Sequence, residues 1–260
     1  MDRSTLRRIE EKTDISFSAK WKQAQKYADH IPEPLDNLRK NLTLASGILM
    51  LDGKHVNILG ESVCIHIAFD TGIGVIDYWT DDTENKTAYG YMLRRLNDLG
   101  YEPICGISDG HTGITPLLQE ERIPHQLCIF HLLKTLRKIL SSENFFSSEI
   151  PPVYRVLYSR IKGIFKTTRI ENLPQRINDF RKMQKHWQTP KHRVALKWFW
   201  SVLPNATMGL SFEEEIPKTN NMLENLNGQI EARLKTFRGV KSEESLNKIL
   251  KILFYLRNYK

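Results

Sequence analysis

Cysteine is scarce in this 260-residue sequence: Cys64, Cys105 and Cys128 are odd in number and form no Cys-x-x-Cys pair. That pattern excludes a secreted disulfide framework and fits a reducing compartment. Long apolar runs are missing as well. The longest weakly polar stretch, Leu42 to Leu51, is about half of what a membrane-spanning helix requires. Met1 to Ser16 is charged throughout and lacks the apolar core of a signal peptide. Nor is there an internal repeat or a low-complexity tract. The expectation is a cytoplasmic protein with no membrane partner.

What the chain does contain is an ordinary globular balance, 40% hydrophobic and 26% charged, in a length that can bury one large core with an insertion. The net charge of +8 and pI near 9.3 favour an anionic partner. That charge is unevenly placed. Between Leu133 and Trp200 fifteen Lys and Arg face only Glu143, Glu149, Glu171 and Asp179. The local excess is larger than that of the whole chain, so the remainder is net acidic. Such an imbalance is better explained by a polyanion than by a merely solvated face, because neutralised phosphates release counterions. Lys134, Arg137, Lys138, Arg181, Lys182, Lys185, Arg193 and Lys197 are the candidate contacts to such a polyanion.

Residues 1–45 read as a polar helical arm, with Trp21, Ala24, Tyr27 and Ala28 at helical spacing, and Ile31-Pro32-Glu33-Pro34 breaks it like a linker. From Ser46 the period changes to two. Gly47 to Asp52 continuing through Ile58, then Val63 to Phe69, then Ile73 to Thr80, predict three strands in a meander. A helix over Glu84–Leu99 follows, stopped by Gly100. Pro103 to Ser108 predicts a short buried strand that ends at Asp109. A helix from Ile114, a strand around Gln126–Ile129 and a basic helix from His131 to Leu140 complete this part. The order implies a mixed sheet with helices on both faces, as in ribonuclease H-like domains. Residues 141–216 read as an all-helical insertion punctuated by Pro151, Pro174, Pro190 and Pro204. Residues 217–260 return two amphipathic helices to the core, the first stopped by Gly239, with Phe237 on its apolar face and Tyr259 ending the second. The expected division is therefore 1–45, 46–140, 141–216 and 217–260.

Three acids stand out: Asp52 in the first strand, Asp109 after the fourth, and Glu224 on a late helix. Carboxylates on separate rigid elements can hold hard divalent cations such as Mg²⁺, two of which stabilise both the attacking and the leaving oxygen of a phosphoryl transfer. Each acid has a plainer reading. Asp52-Gly53 has the composition of a hairpin turn, Asp109 could cap the next helix, and Glu224 could pair with Asn221 in a capping box. Cys128 and His131 form a Cys-x-x-His pair, structural or metal-ligating, with no second pair to complete a zinc site.

The motifs together resemble the mutator-type transposases of bacterial insertion sequences. The matching pieces are Leu51-Asp52-Gly53, Ser108-Asp109-Gly110-His111, Cys128-Ile129-Phe130-His131 and the run Lys218-Thr219-Asn220-Asn221-Met222-Leu223-Glu224-Asn225-Leu226-Asn227. The resemblance implies a ribonuclease H-like core in which Asp52, Asp109 and Glu224 form an Asp-Asp-Glu triad. It further implies two Mg²⁺ or Mn²⁺ ions as cofactors, the helical insertion between the second and third acids, and cleavage and strand transfer of double-stranded DNA by a nucleoid-associated homodimer. Such transposases carry a sizeable DNA-binding region before the core, whereas 45 residues precede the first strand here. The alternatives are an inactive, truncated remnant that only binds DNA, and a simple metal-dependent nuclease.

Overall fold

Alternation of apolar and polar residues after Ser46 is what an antiparallel meander needs, and the chain folds as one. Strands β1 (Ile48–Ile58), β2 (Glu61–Asp70) and β3 (Gly74–Asp81) pair in sequence order. The structure, a computed structural model, describes residues 17–58, 60–141, 149–236, 240 and 242–258. The charged stretch Met1–Ser16, the side chain of Trp21, and Phe237, Gly239 and Tyr259 lie outside the described residues.

The chain divides into two compact units. The first takes the chain up to Ile104, Thr112–Leu117 and everything from Asn221 onward. The register of its strands defines two faces, because directly paired residues point the same way. Asp52↔Ile67 and Lys54↔Ile65 lie on one face; Gly53↔His66 and His55↔Cys64 lie on the other. Helix α1 (Phe17–Ala28) and helix α2 (Pro34–Asn41) precede the sheet. The break at Ile31–Pro34 is a helix start: Pro34 occupies the first turn of α2, where a missing N–H costs nothing, and Glu33 and Asp36 form a capping box. Helix α3 (Lys86–Asp98), capped by the Asn85 side chain on the Ala88 N–H, turns Tyr89, Met92, Leu93 and Leu96 inward.

The tightest point of this unit is Asp70, wholly buried at the β2–β3 turn. Its carboxylate accepts from the N–H groups of Ser46, Gly47, Gly72 and Ile73, and from the hydroxyls of Ser46 and Tyr101, at 2.8–3.1 Å. One side chain thus fastens the entry to β1, the turn after β2 and the segment after α3.

The second unit takes Cys105–His111 and Leu118–Asn220. Strand β4 (Cys105–Ser108) and strand β5 (His125–Leu127) are parallel, from Gly106↔His125 to Ser108↔Leu127. Between them runs helix α4 (Ile114–Glu120), so the expected element order through β5 is the observed one. Helix α5 (Ile129–Leu140) begins two residues before the expected start, with Cys128 at its N-cap position. The helices α6 (Pro152–Phe165), α7 (Asn172–Gln184) and α8 (Pro190–Ala206) follow. With α5 they enclose an apolar core of Leu136, Leu157, Ile161, Phe165, Phe180, Trp187 and Phe199, against which Trp198 and Trp200 pack. Pro204, expected to end a helix, sits inside the last turn of α8, which continues to Ala206.

Candidate active site

Asp52 lies in the middle of β1, which runs straight through Asp52-Gly53, so this dipeptide is no hairpin turn. Its face of the sheet meets helix α9 (Asn221–Thr236) in the same unit. The Asn227 amide donates to Asp52 Oδ2 at 2.8 Å, and Lys54 Nζ meets Glu231 Oε2 at 2.6 Å. Strand steps of two and a helix step of four thus run side by side. The same helical stripe continued one turn back reaches Glu224, three residues before Asn227 and half-buried. Because α9 starts at Asn221, that residue is inside the helix and not at its cap, and a capping box between Asn221 and Glu224 is out of register.

The Asn227 side chain is buried, and its Oδ1 has no hydrogen-bond partner among the described residues. Reversing the amide would set that oxygen against the Asp52 carboxylate, so the orientation is fixed. The sequence contained the signal for this residue, an acid and an amide three apart on one helical face, but only as part of a motif.

Asp109 belongs to the second unit, at the carboxyl end of β4. It accepts from the His111 N–H at 2.8 Å and is partly exposed, while α4 starts only at Ile114, too far on for Asp109 to cap it. Below it, Ser108 Oγ takes the Gly110 N–H at 3.1 Å and lies 2.9 Å from Nε2 of buried His125. Burial pushes the His125 imidazole down to about 4, with Asp109 pulling the other way. The ring is held towards its neutral form and shares one hydrogen bond with Ser108 Oγ, so the β4 end is held by uncharged contacts.

Cys128 is buried, and its N–H donates to the Ser108 carbonyl at 2.8 Å, tying the start of α5 to β4. His131 follows in the first turn of that helix, partly exposed. The eight basic candidates, Lys134, Arg137, Lys138, Arg181, Lys182, Lys185, Arg193 and Lys197, are all exposed. Arg181 stacks over the Trp200 ring at 5.2 Å, which fixes one guanidinium on an aromatic base. Between α6 and α7 an open cavity of about 680 Å³ is lined by Arg155, Arg160 and Arg176, with Asp179 as the acid. No helix among the described residues is long and apolar enough to cross a membrane.

A curated transposase for insertion sequence element IS905 from Lactococcus lactis subsp. lactis (strain IL1403) is 24% identical over 240 residues, 85% of this chain. The chain spans 56% of that relative's length. Two structures of the HTLV-2 integrase catalytic core domain in complex with magnesium show a loose likeness, each at a TM-score of 0.28. The dimeric form is 20% identical, covering 37% of this chain and 70% of its own. The trimeric form is 14% identical, covering 61% and 86%. The model of the family described as "Transposase, Mutator family" matches residues 27–260, nearly all of the sequence, and the chain belongs to that family.

Proposed function

We propose that this chain cuts and joins double-stranded DNA in transposition, with Asp52, Asp109 and Glu224 as the acids that hold two Mg²⁺ or Mn²⁺ ions, and that it works as a homodimer on DNA. The carrying observation is the pairing of β1 with α9, where Asn227 grips Asp52 one turn from Glu224. The donor set fits a hard cation. It consists of carboxylate oxygens together with the buried, unpartnered Asn227 Oδ1, and Mg²⁺ takes oxygen ligands of this kind. When bound, such ions stabilise the attacking and leaving oxygens of an in-line displacement at phosphorus.

The protein's own share is positioning. Asn227 leaves Asp52 Oδ1 turned to the adjacent Gly53 N–H at 3.1 Å and holds Oδ2 itself, so the carboxylate has one orientation. The His111 N–H does the same for Asp109. The exposed Lys and Arg of the helical segment supply phosphate contacts that hold the duplex and carry no sequence code.

The test is nicking and joining of labelled, end-containing DNA in Mg²⁺. Glu224→Gln and Asp109→Asn should each abolish both reactions while metal-free DNA binding and thermal stability stay within error of the parent. Activity in Glu224→Gln equal to that of the parent would remove Glu224 from the catalytic set. A parent that binds its ends but never nicks them would favour a DNA-binding protein without catalysis.

A further inference from the structure

The sheet face opposite Asp52 carries a second group of ligating side chains that the triad does not use. His55 on β1 and Cys64 on β2 are direct cross-strand partners. Glu84, in the segment between β3 and α3, reaches over them. One nitrogen of His55, the Cys64 sulfur and a Glu84 carboxylate oxygen all lie within 4.8 Å of one another, and His55 Nε2 is 3.9 Å from Glu84 Oε2. Around a tetrahedral zinc ion, with bonds of about 2.0–2.3 Å, ligand atoms stand roughly 3.5 Å apart. The three groups are therefore about one ångström from closing on an ion.

Two neighbours support this arrangement. The buried Tyr89 hydroxyl donates to Glu84 Oε1 at 2.7 Å, leaving Oε2 directed to His55. A hydroxyl on the outer oxygen is how ligating carboxylates are oriented. Gly53 lies beneath: a Cβ there would come 2.4 Å from Glu84 Cδ and 2.7–2.8 Å from both its oxygens. The glycine after Asp52 thus makes room for a carboxylate on the far side of the strand, and no turn is involved.

We propose that His55, Cys64 and Glu84 form a binding site for a borderline-soft divalent cation of the zinc class, with a fourth position open to solvent beside exposed His55. Mixed nitrogen, sulfur and oxygen donors select zinc-like ions, whereas oxygen-only sets select Mg²⁺. Asp52 and His55, three positions apart on β1, would then serve two metals of different chemistry on opposite faces. The site ties β1, β2 and the β3–α3 segment together, so bound metal stiffens the strand that carries Asp52.

Co²⁺, added alone to the full reduced chain, is the probe. The expected result is a thiolate-to-metal charge-transfer band with tetrahedral visible bands, displaced by Zn²⁺ and untouched by excess Mg²⁺. Cys64→Ser should remove that band and Cys128→Ser should retain it. His55→Gln, at an exposed position that cannot unfold the sheet, should weaken Co²⁺ affinity at least tenfold. Asp52→Asn should leave the spectrum unchanged, which separates this site from the triad. No charge-transfer band in the parent, a band that survives Cys64→Ser, or unchanged affinity in His55→Gln would each overturn the assignment.

Discussion

Two aspartates on neighbouring strands, Asp70 and Asp52, have the same side chain and opposite surroundings. Asp70 is wholly buried among six donors. Asp52 is half-exposed and held by one amide and its neighbour's N–H. Replacement by asparagine separates them. In Asp70→Asn an NH₂ group must face N–H and O–H donors, so several buried hydrogen bonds to a charge are lost together. A loss of about 3 kcal/mol or more is expected. Asp52→Asn keeps an acceptor for Asn227 and should change stability by less than about 1 kcal/mol while stopping strand cleavage. Urea unfolding of the two variants beside the parent measures this contrast. A small effect in Asp70→Asn would mean that the donors turn to water. The role of Asp70 is hidden in the sequence, because it depends on the convergence of Ser46, Gly72 and Tyr101 from three segments. Motif spacing made Asp52 and Glu224 candidates, and the fold puts them on neighbouring elements, β1 and α9; the His55, Cys64 and Glu84 group becomes visible only once strand register is known.

At the scale of elements, β1 to β3 were legible from a two-residue period that is hard to mimic, and β4 and β5 as short runs between helical stretches. Proline was the weaker guide. Pro34 starts a helix and Pro204 stays within one, since a proline in the first turn loses no hydrogen bond and one near the end spoils only a single carbonyl. In the helical segment the aromatic side chains help form the core. Phe180 and Phe199 stack with ring centroids 4.7 Å apart, and Phe199 touches Phe165 and Trp200 as well. Phe199→Ala should cost about 3–5 kcal/mol, the range for a buried aromatic leaving a cavity. Because this core lies within the second unit, the loss should appear first as weakened amide protection in α6, α7 and α8. Hydrogen exchange that slackened instead in β1 and β2 would contradict that placement.

For the whole molecule, the proposed DNA partner rests on charge. The eight exposed basic candidates lie within a helical segment rich in cations, and a duplex bound there would release counterions. Binding should weaken steeply with salt, and Ala at Lys134, Arg137 and Lys138 together should reduce the slope of log affinity against log salt by about 3. Affinity for different sequences should fall alike; a slope unchanged by the triple substitution would place the contacts elsewhere. The chain order of the first unit has a further consequence, for protein synthesis. β1 and α9, which share the Asn227–Asp52 contact, are translated on either side of the whole second unit. A nascent chain therefore has Asp52 in place long before its helix exists, and the continuous run from Leu118 can collapse on its own core in the meantime. The part begun first is the part closed last. Under the proposed function, ribosome-bound intermediates would present the basic helical segment before Asp52 and Glu224 are both in place, and only the chain translated through α9 would be competent to break a strand.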